Sequence, residues 1–308
     1  MNILIVGLGS IAKKHIEALR VLKIQANLYA LRSTKNASKE LGIENIYSID
    51  RLEIQFDFAI ISNPTHLHFK YIKNLATLGI PLFIEKPFVN KLDNIDGLLK
   101  LVKKNKVITY VACNLRFHPC ITFLKNKLNS EFSKINEVNV YCGSYLPDWR
   151  PGKDFRTIYS ANASMGGGVH LDLFHELDYI SWLFGLPKRS QSVLRNVSSL
   201  GVDSIDYANY ILEYNNFSAS IILNYYRRTS KRNIEIVFED KIWIVDLINN
   251  TVRDQKELIL FETKNFNILN TYNLQMDYFI DCLLQKKPPM NSIKESIGIL
   301  EICLKNEK

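Results

Sequence analysis

The sequence has little of what would mark a secreted, membrane-bound or metal-loaded protein. Its five cysteines, Cys113, Cys120, Cys142, Cys282 and Cys303, are odd in number and lack the paired spacing of zinc ligands or redox couples. They read as buried, inert thiols, and no metal site is expected. No stretch approaches the roughly 18 uninterrupted apolar residues that a membrane span requires. The run Met1 to Val6 is apolar but only a strand long, carries no basic flank and leads into glycines, so it is not a signal peptide. The expected compartment is the cytoplasm. There is no Pro- or Ser-rich linker and no low-complexity tract, so the chain reads as compact and globular.

What is present starts with a net charge of +8. The lysines and arginines that carry it lie in short scattered groups, such as Lys103-Lys104, Arg227-Arg228 and Lys286-Lys287, which is the pattern of a solvated surface rather than of a nucleic-acid partner. A phosphorylated or carboxylated ligand would still be attracted. With 308 residues, 47% hydrophobic and 23% charged, two domains are expected.

Hydrophobic periodicity places the division near residue 116. Before it, apolar runs of strand length (Ile3 to Val6, Ala26 to Leu31, Phe58 to Ile61, Pro81 to Ile84, Val107 to Ala112) alternate with helical patterns (Ile11 to Leu22, His66 to Leu78, Leu92 to Lys103). Continuous apolar strands separated by helices predict a doubly wound parallel sheet covered on both faces, over residues 1–116. After residue 134 the strands lengthen: Ile135 to Ser144, Ser190 to Val197, Tyr207 to Tyr214, Phe217 to Tyr226, Asn233 to Phe238 and Lys241 to Asp246. Asn215-Asn216 and Glu239-Asp240 look like hairpin turns. Residues 117–308 therefore read as an α+β domain with a mostly antiparallel open sheet. Its helices are expected at Asp172 to Phe184, Leu269 to Gln285 and Ile293 to Lys305.

Gly7-Leu8-Gly9-Ser10-Ile11-Ala12 directly follows the first strand and opens the first helix, the context in which such a pattern binds a dinucleotide. Gly7 permits the turn, Gly9 lets the backbone approach a pyrophosphate, and Ala12 allows close helix packing. Ser10 and Ile11 sit at the helix start, where free N–H groups and the dipole favour an anion. A site specific for NAD would carry Asp or Glu at the end of the second strand. Here that turn is Leu31-Arg32-Ser33-Thr34-Lys35, which suits a 2′-phosphate, so NADP is favoured over NAD.

These glycines with His15, then Asn63-Pro64-Thr65 with His68, then Glu85-Lys86-Pro87, are similar in order and spacing to successive motifs of the glucose-fructose oxidoreductase and inositol dehydrogenase (Gfo/Idh/MocA) family. A fourth block, Gly166-Gly167-Gly168 followed by Asp172, His175, Asp178 and Trp182, resembles that family's helix carrying a catalytic histidine. The resemblance implies a Rossmann domain, cofactor contacts at Asn63, Pro64, Thr65, His68, Glu85, Lys86 and Asn114, and catalysis by Lys86 and His175. It also implies a cis Lys86-Pro87 bond and homo-oligomers, dimers or tetramers, formed through the face of the second sheet. On the residues alone, Lys86 lies at the carboxyl end of a parallel strand, where open α/β sheets place ligands. An imidazole, with an ordinary pKa near 6.5, can take a proton from an alcohol, and Asp172 is the carboxylate expected to orient it. In much of the family that Asp precedes the His by four positions. Here the interval is three and Leu171 occupies the earlier place.

Candidate substrate contacts are Arg116 and His118 in Asn114-Leu115-Arg116-Phe117-His118-Pro119, with a helix N-cap as the competing role for that run. Further candidates are His170 and the loop from Tyr145 to Arg156, in which Trp149 offers a face to a sugar ring and Arg150 and Arg156 offer forked donors. That long loop is most similar to those of family members linked with bacterial surface-sugar biosynthesis. The expected substrate is therefore a sugar or nucleotide sugar, bound between the two domains. Two other readings stay open: a nucleotide sensor without turnover, and transient oxidation serving elimination or glycoside cleavage.

Overall fold

In the computed structural model, which describes residues 1–34, 40–49 and 54–305, the chain divides into two compact units. The first comprises Met1–Asn114 together with Ile268–Ile297, and the second Leu115–Asn267 together with the stretch from Gly298 onward.

The first unit is built on β1 (Asn2–Val6), α1 (Ser10–Val21), β2 (Asn27–Leu31), β3 (Ile43–Ile46), β4 (Phe58–Ile61), α2 (His68–Thr77), β5 (Leu82–Glu85), α3 (Ile95–Lys104) and β6 (Thr109–Ala112). All six strands run parallel, in the order β3-β2-β1-β4-β5-β6. Ile3, Leu4 and Ile5 of β1 and every residue of β4 are fully buried, as strands covered on both faces must be. Each of the Ile, Leu and Phe side chains among them contributes about 1.5–3 kcal/mol of burial free energy. The strand β3 is absent from the sequence reading because Ile43-Glu44-Asn45-Ile46 is short and polar at its centre, and its pairing with β2 rather than its composition makes it a strand. Because β1 pairs with β2 on one side and β4 on the other, the order reverses between β1 and β4 and opens a crevice at their carboxyl ends.

The segment returning to this unit carries the whole of a helix, Asn270–Leu284. Its Phe279 meets the rings of Phe58, Phe83 and Tyr110, with centroids 5.2–5.8 Å apart. Val111 and Asn291 exchange backbone and side-chain hydrogen bonds of 2.7 and 2.9 Å.

In the second unit, α4 (Pro119–Leu128), β7 (Ile135–Tyr145), α5 (Val169–Asp172), α6 (His175–Phe184), β8 (Arg189–Arg195), β9 (Tyr207–Glu213), β10 (Ser218–Asn224), β11 (Tyr226–Phe238), β12 (Ile242–Asp246), β13 (Thr251–Asp254) and β14 (Ile259–Glu262) precede α7, the Asn270–Leu284 helix already described. Last comes α8 (Ile293–Leu304). The eight strands form one open sheet, β14-β13-β12-β11-β7-β10-β9-β8, antiparallel except where β10 meets β7. Val138, Val140 and Cys142 of β7 alternate inward with Ile234 and Ile236 of β11, and the other face carries polar residues. The two short strands β13 and β14 lie at the sheet edge and lack a legible period.

Candidate active site

At the crevice of the first unit, Gly7 has φ +88°, and a Cβ placed there would lie 2.5 Å from the Cα of Asn63, on the loop after β4. Only glycine suits both the conformation and the contact. Ser62 Oγ ties the two loops by donating to the Gly7 carbonyl at 2.9 Å, and within the loop after β4 His68 Nε2 lies 2.7 Å from the Asn63 carbonyl. Burial holds the His68 pKa below its ordinary value, so the neutral ring donates through Nε2–H. Thr65 is buried beside this turn, whereas Pro64 is exposed.

Gly9 is the N-cap of α1, with nothing within 4 Å of where its Cβ would be. No side chain caps this helix and its first turn, with Ser10 and Ile11, holds no acid. Ala12, fully buried, packs on Ile5 and Ile16. Among the described residues, both polar atoms of the Asn63 amide are shielded from water and lack a hydrogen-bond partner. An uncapped helix start beside an unpartnered amide fits the pyrophosphate and ribose of a dinucleotide. At the end of β2, Arg32 is half-buried and Ser33 exposed, and Lys35 lies outside the described residues.

Glu85, at the carboxyl end of β5, holds its carboxylate 2.5 Å from Nε2 of the buried His15. Lys86 follows, half-buried, and its bond to Pro87 is cis. Asn114 donates to Thr271 Oγ1 at 2.6 Å, so its side chain ties β6 to the start of α7.

The glycine block of the second unit leads into α5. Gly168 caps that helix at φ +132°, with the His170 ring against it. The sequence reading made one helix of Asp172 to Phe184, but the structure breaks it. Leu173 takes φ −97° and ψ +34°, α5 ends at Asp172 and α6 begins at His175. The two residues therefore lie on either side of a helix junction rather than on one helical turn, and the i,i+3 argument does not govern them. Asp172 accepts a 2.5 Å hydrogen bond from the Tyr225 hydroxyl. Tyr225 is fully buried, and burial together with the Asp172 charge pushes its pKa well up, so it remains a donor. His175 is half-buried at the start of α6.

Other predicted contacts occupy internal positions. Arg116 is buried and grips Asp178 with both arms of its guanidinium, at 2.8 and 2.7 Å. His118 caps α4, accepting from the Cys120 N–H at 3.2 Å, and burial pushes its pKa down to about 4. His170 is likewise held at about 4 by burial. Glu176, fully buried, accepts from Arg232 at 2.6 Å. In the long loop, Trp149 donates to Ser144 Oγ at 2.8 Å and meets Tyr225 edge-on at 5.3 Å, while Arg150 and Arg156 are exposed. Sequence reasoning missed Tyr225, which looks like one more apolar residue of a strand and shows its role only through the bond to Asp172.

Comparison with known proteins bears on this arrangement. Residues 1–113 match the model of an oxidoreductase family with an NAD-binding Rossmann fold, and residues 129–243 match the GFO/IDH/MocA C-terminal domain. The chain is 25% identical to the scyllo-inositol 2-dehydrogenase (NAD(+)) of Bacillus subtilis (strain 168), over 93% of this chain and 87% of that protein. It is 23% identical to the UDP-N-acetylglucosamine 3-dehydrogenase of Acidithiobacillus ferrooxidans, over 80% and 74%. The structure of the WlbA dehydrogenase from Bordetella pertussis in complex with NADH and UDP-GlcNAcA shares the fold, with a TM-score of 0.79 at 17% identity over 98% of this chain and 92% of that one.

Proposed function

This chain belongs to the GFO/IDH/MocA oxidoreductase family, and from that premise we propose that it is an NAD(P)-dependent sugar dehydrogenase or reductase. Its substrate in this reading is a nucleotide-linked or acidic sugar of cytoplasmic surface-glycan biosynthesis. The carrying observation is the crevice where Gly7 meets Asn63 beside an uncapped helix, with an amide that lacks a partner among the described residues. The names of the relatives, an inositol dehydrogenase and a UDP-N-acetylglucosamine dehydrogenase, support a polyhydroxylated substrate.

A bound nicotinamide supplies a hydride acceptor or donor. The Gly7–Ala12 loop and Asn63 hold that cofactor, and Lys86 donates a hydrogen bond to the substrate oxygen that gains or loses its proton. His175 accepts that proton on oxidation and returns it on reduction, a role the imidazole suits near neutral pH. Asp172, ordered by Tyr225, orients the imidazole. Trp149, Arg150 and Arg156 select the sugar. Arg32 and Ser33, with no acid at the end of β2, favour NADP over NAD. Val193 and Ile211, exposed on the outer sheet face, support a homodimer or homotetramer.

Steady-state turnover with nucleotide and acidic sugars should accumulate reduced cofactor. His175→Ala and Lys86→Ala should each lower kcat by about 10²–10⁴-fold while thermal shift still reports cofactor binding. A folded wild-type chain that neither NAD nor NADP stabilises would refute the proposal. An elimination or cleavage product released without net reduced cofactor would replace it with oxidation reversed in place.

A further inference from the structure

A second concentration of chemistry lies in the second unit, where a pocket of about 200 Å³ is lined by Tyr145, Arg156, Ser198, Ser199, Tyr226 and Arg228 among others. Its cations arrive by two different routes. The pairing of β11 with β7 jumps from Tyr226↔Tyr145 to Lys231↔Gly143, so that Arg227 to Ser230 bulge opposite the single residue Ser144. The bulge sets the Arg228 guanidinium over the Tyr145 ring, 3.8 Å from its centroid. Arg156 comes from the long loop and stacks on Phe155 at 4.5 Å. Set over aromatic rings, both guanidinium groups keep their charge and their N–H donors for a ligand in the pocket.

The acids nearby offset this pair only in part. Asp154 makes an exposed ion pair with Arg156 at 3.7 Å, too long for a hydrogen bond. Asp206 is fully buried and already accepts from the Val197 N–H at 2.8 Å, the Ser198 N–H at 3.0 Å and the Ser198 hydroxyl. It braces the turn that presents Ser199. Among the described residues no carboxylate lies within ion-pair distance of Arg228. The volume is below the roughly 300–1,000 Å³ of pockets that enclose a whole drug-sized ligand. A small, strongly charged group fits better than a sugar ring or a base.

We propose that this pocket is a binding site for a phosphate group, free or esterified, held by the forks of Arg156 and Arg228 with hydroxyls alongside. Two guanidinium forks match a tetrahedral dianion with acceptors on every side. This proposal stands apart from the hydride-transfer reading, since none of its residues takes part in that chemistry except Arg156, there given to sugar selection.

The test is calorimetric titration of the whole chain at fixed ionic strength with inorganic phosphate, uridine diphosphate and uncharged N-acetylglucosamine. The wild type and Lys256→Gln, which removes an exposed charge elsewhere in the same unit, should bind at least one of the two phosphates saturably. Arg156→Gln/Arg228→Gln should bind it at least about tenfold more weakly. Both positions are exposed, so an unchanged melting temperature without ligand is expected and confirms that the variant is folded. Uridine diphosphate binding about tenfold tighter than phosphate, with the same arginine dependence, assigns the site to an ester, and equal affinities assign it to free phosphate. No saturable binding of either, or undiminished binding by the double variant, overturns the proposal. Undiminished binding would mean that the anion sits elsewhere on the chain.

Discussion

Replacing Gly7 by alanine introduces one methyl group at a point where two constraints meet. The residue would have to hold φ +88°, and its Cβ would lie 2.5 Å from backbone Cα of Asn63. The left-handed conformation costs about 1–2 kcal/mol for a residue with a side chain. The clash adds about 1–3 kcal/mol, the usual range for overpacking a rigid interior. Relief by movement is restricted, because Ser62 ties the two loops, His68 braces Asn63 within its own loop, and β1 and β4 beneath them are buried. The sum, about 2–5 kcal/mol, should lower the melting temperature by about 5–15 °C and leave a folded protein. Gly9→Ala is the control. That position has φ −95° and ψ −168°, which any residue adopts, and no neighbour within 4 Å, so its melting temperature should stay within the effect of about 1 kcal/mol. Both variants should lose cofactor affinity by about tenfold or more, Gly9→Ala because its methyl stands where a pyrophosphate must approach. Thermal shift with and without NAD and NADP reads both quantities at once. A Gly7→Ala protein that melts with the wild type and binds cofactor equally well would refute the reasoning, as would a Gly9→Ala protein destabilised as much as Gly7→Ala.

Tyr225→Phe keeps the buried ring and removes only the donor to Asp172, a hydrogen bond to a charged group worth about 1.5–3 kcal/mol. Steady-state kinetics should show kcat lowered by about tenfold or more with the cofactor KM unchanged; wild-type kcat would mean that Asp172 does not work through this tyrosine. Arg116→Met leaves the buried Asp178 unpaired and should cost about 3–5 kcal/mol in urea unfolding. Arg116→Met/Asp178→Leu should cost less than that single change, and a larger loss in the double variant would contradict the pairing. His118 and His170 have folded pKa values of about 4, below the 6.5 of an unfolded histidine, so the unfolded chain binds more protons between those values. Stability should therefore fall as pH drops from about 6.5 to 4, by on the order of 3 kcal/mol for each histidine. A melting temperature flat across that window would disagree with both being buried and neutral.

The sheet of the first unit was legible because its strands are continuous apolar runs and its glycines sit where strand becomes helix. What escaped were short elements whose character comes from pairing: β3, with Glu44 and Asn45 at its centre, and the edge strands β13 and β14. The glycine block and His175 were visible as a pattern, but the break at Leu173 was not, since its residues are all compatible with a helix. Tyr225 and Arg228 escaped for a related reason. Composition says nothing of a bulge, and the bulge is what turns Arg228 over Tyr145.

The return of the segment Ile268–Ile297 to the first unit affects how the chain must be assembled. A ribosome releases the whole of Leu115–Asn267 before the ring of Phe279 exists to cover Phe58, Phe83 and Tyr110. The first unit is thus completed only after most of its neighbour has been made, and a fragment ending at Asn114 would leave that aromatic surface in water. Expression trials that cut there should yield aggregates, whereas a permuted gene joining Ile268–Ile297 directly behind Asn114 should yield a folded nucleotide-binding body.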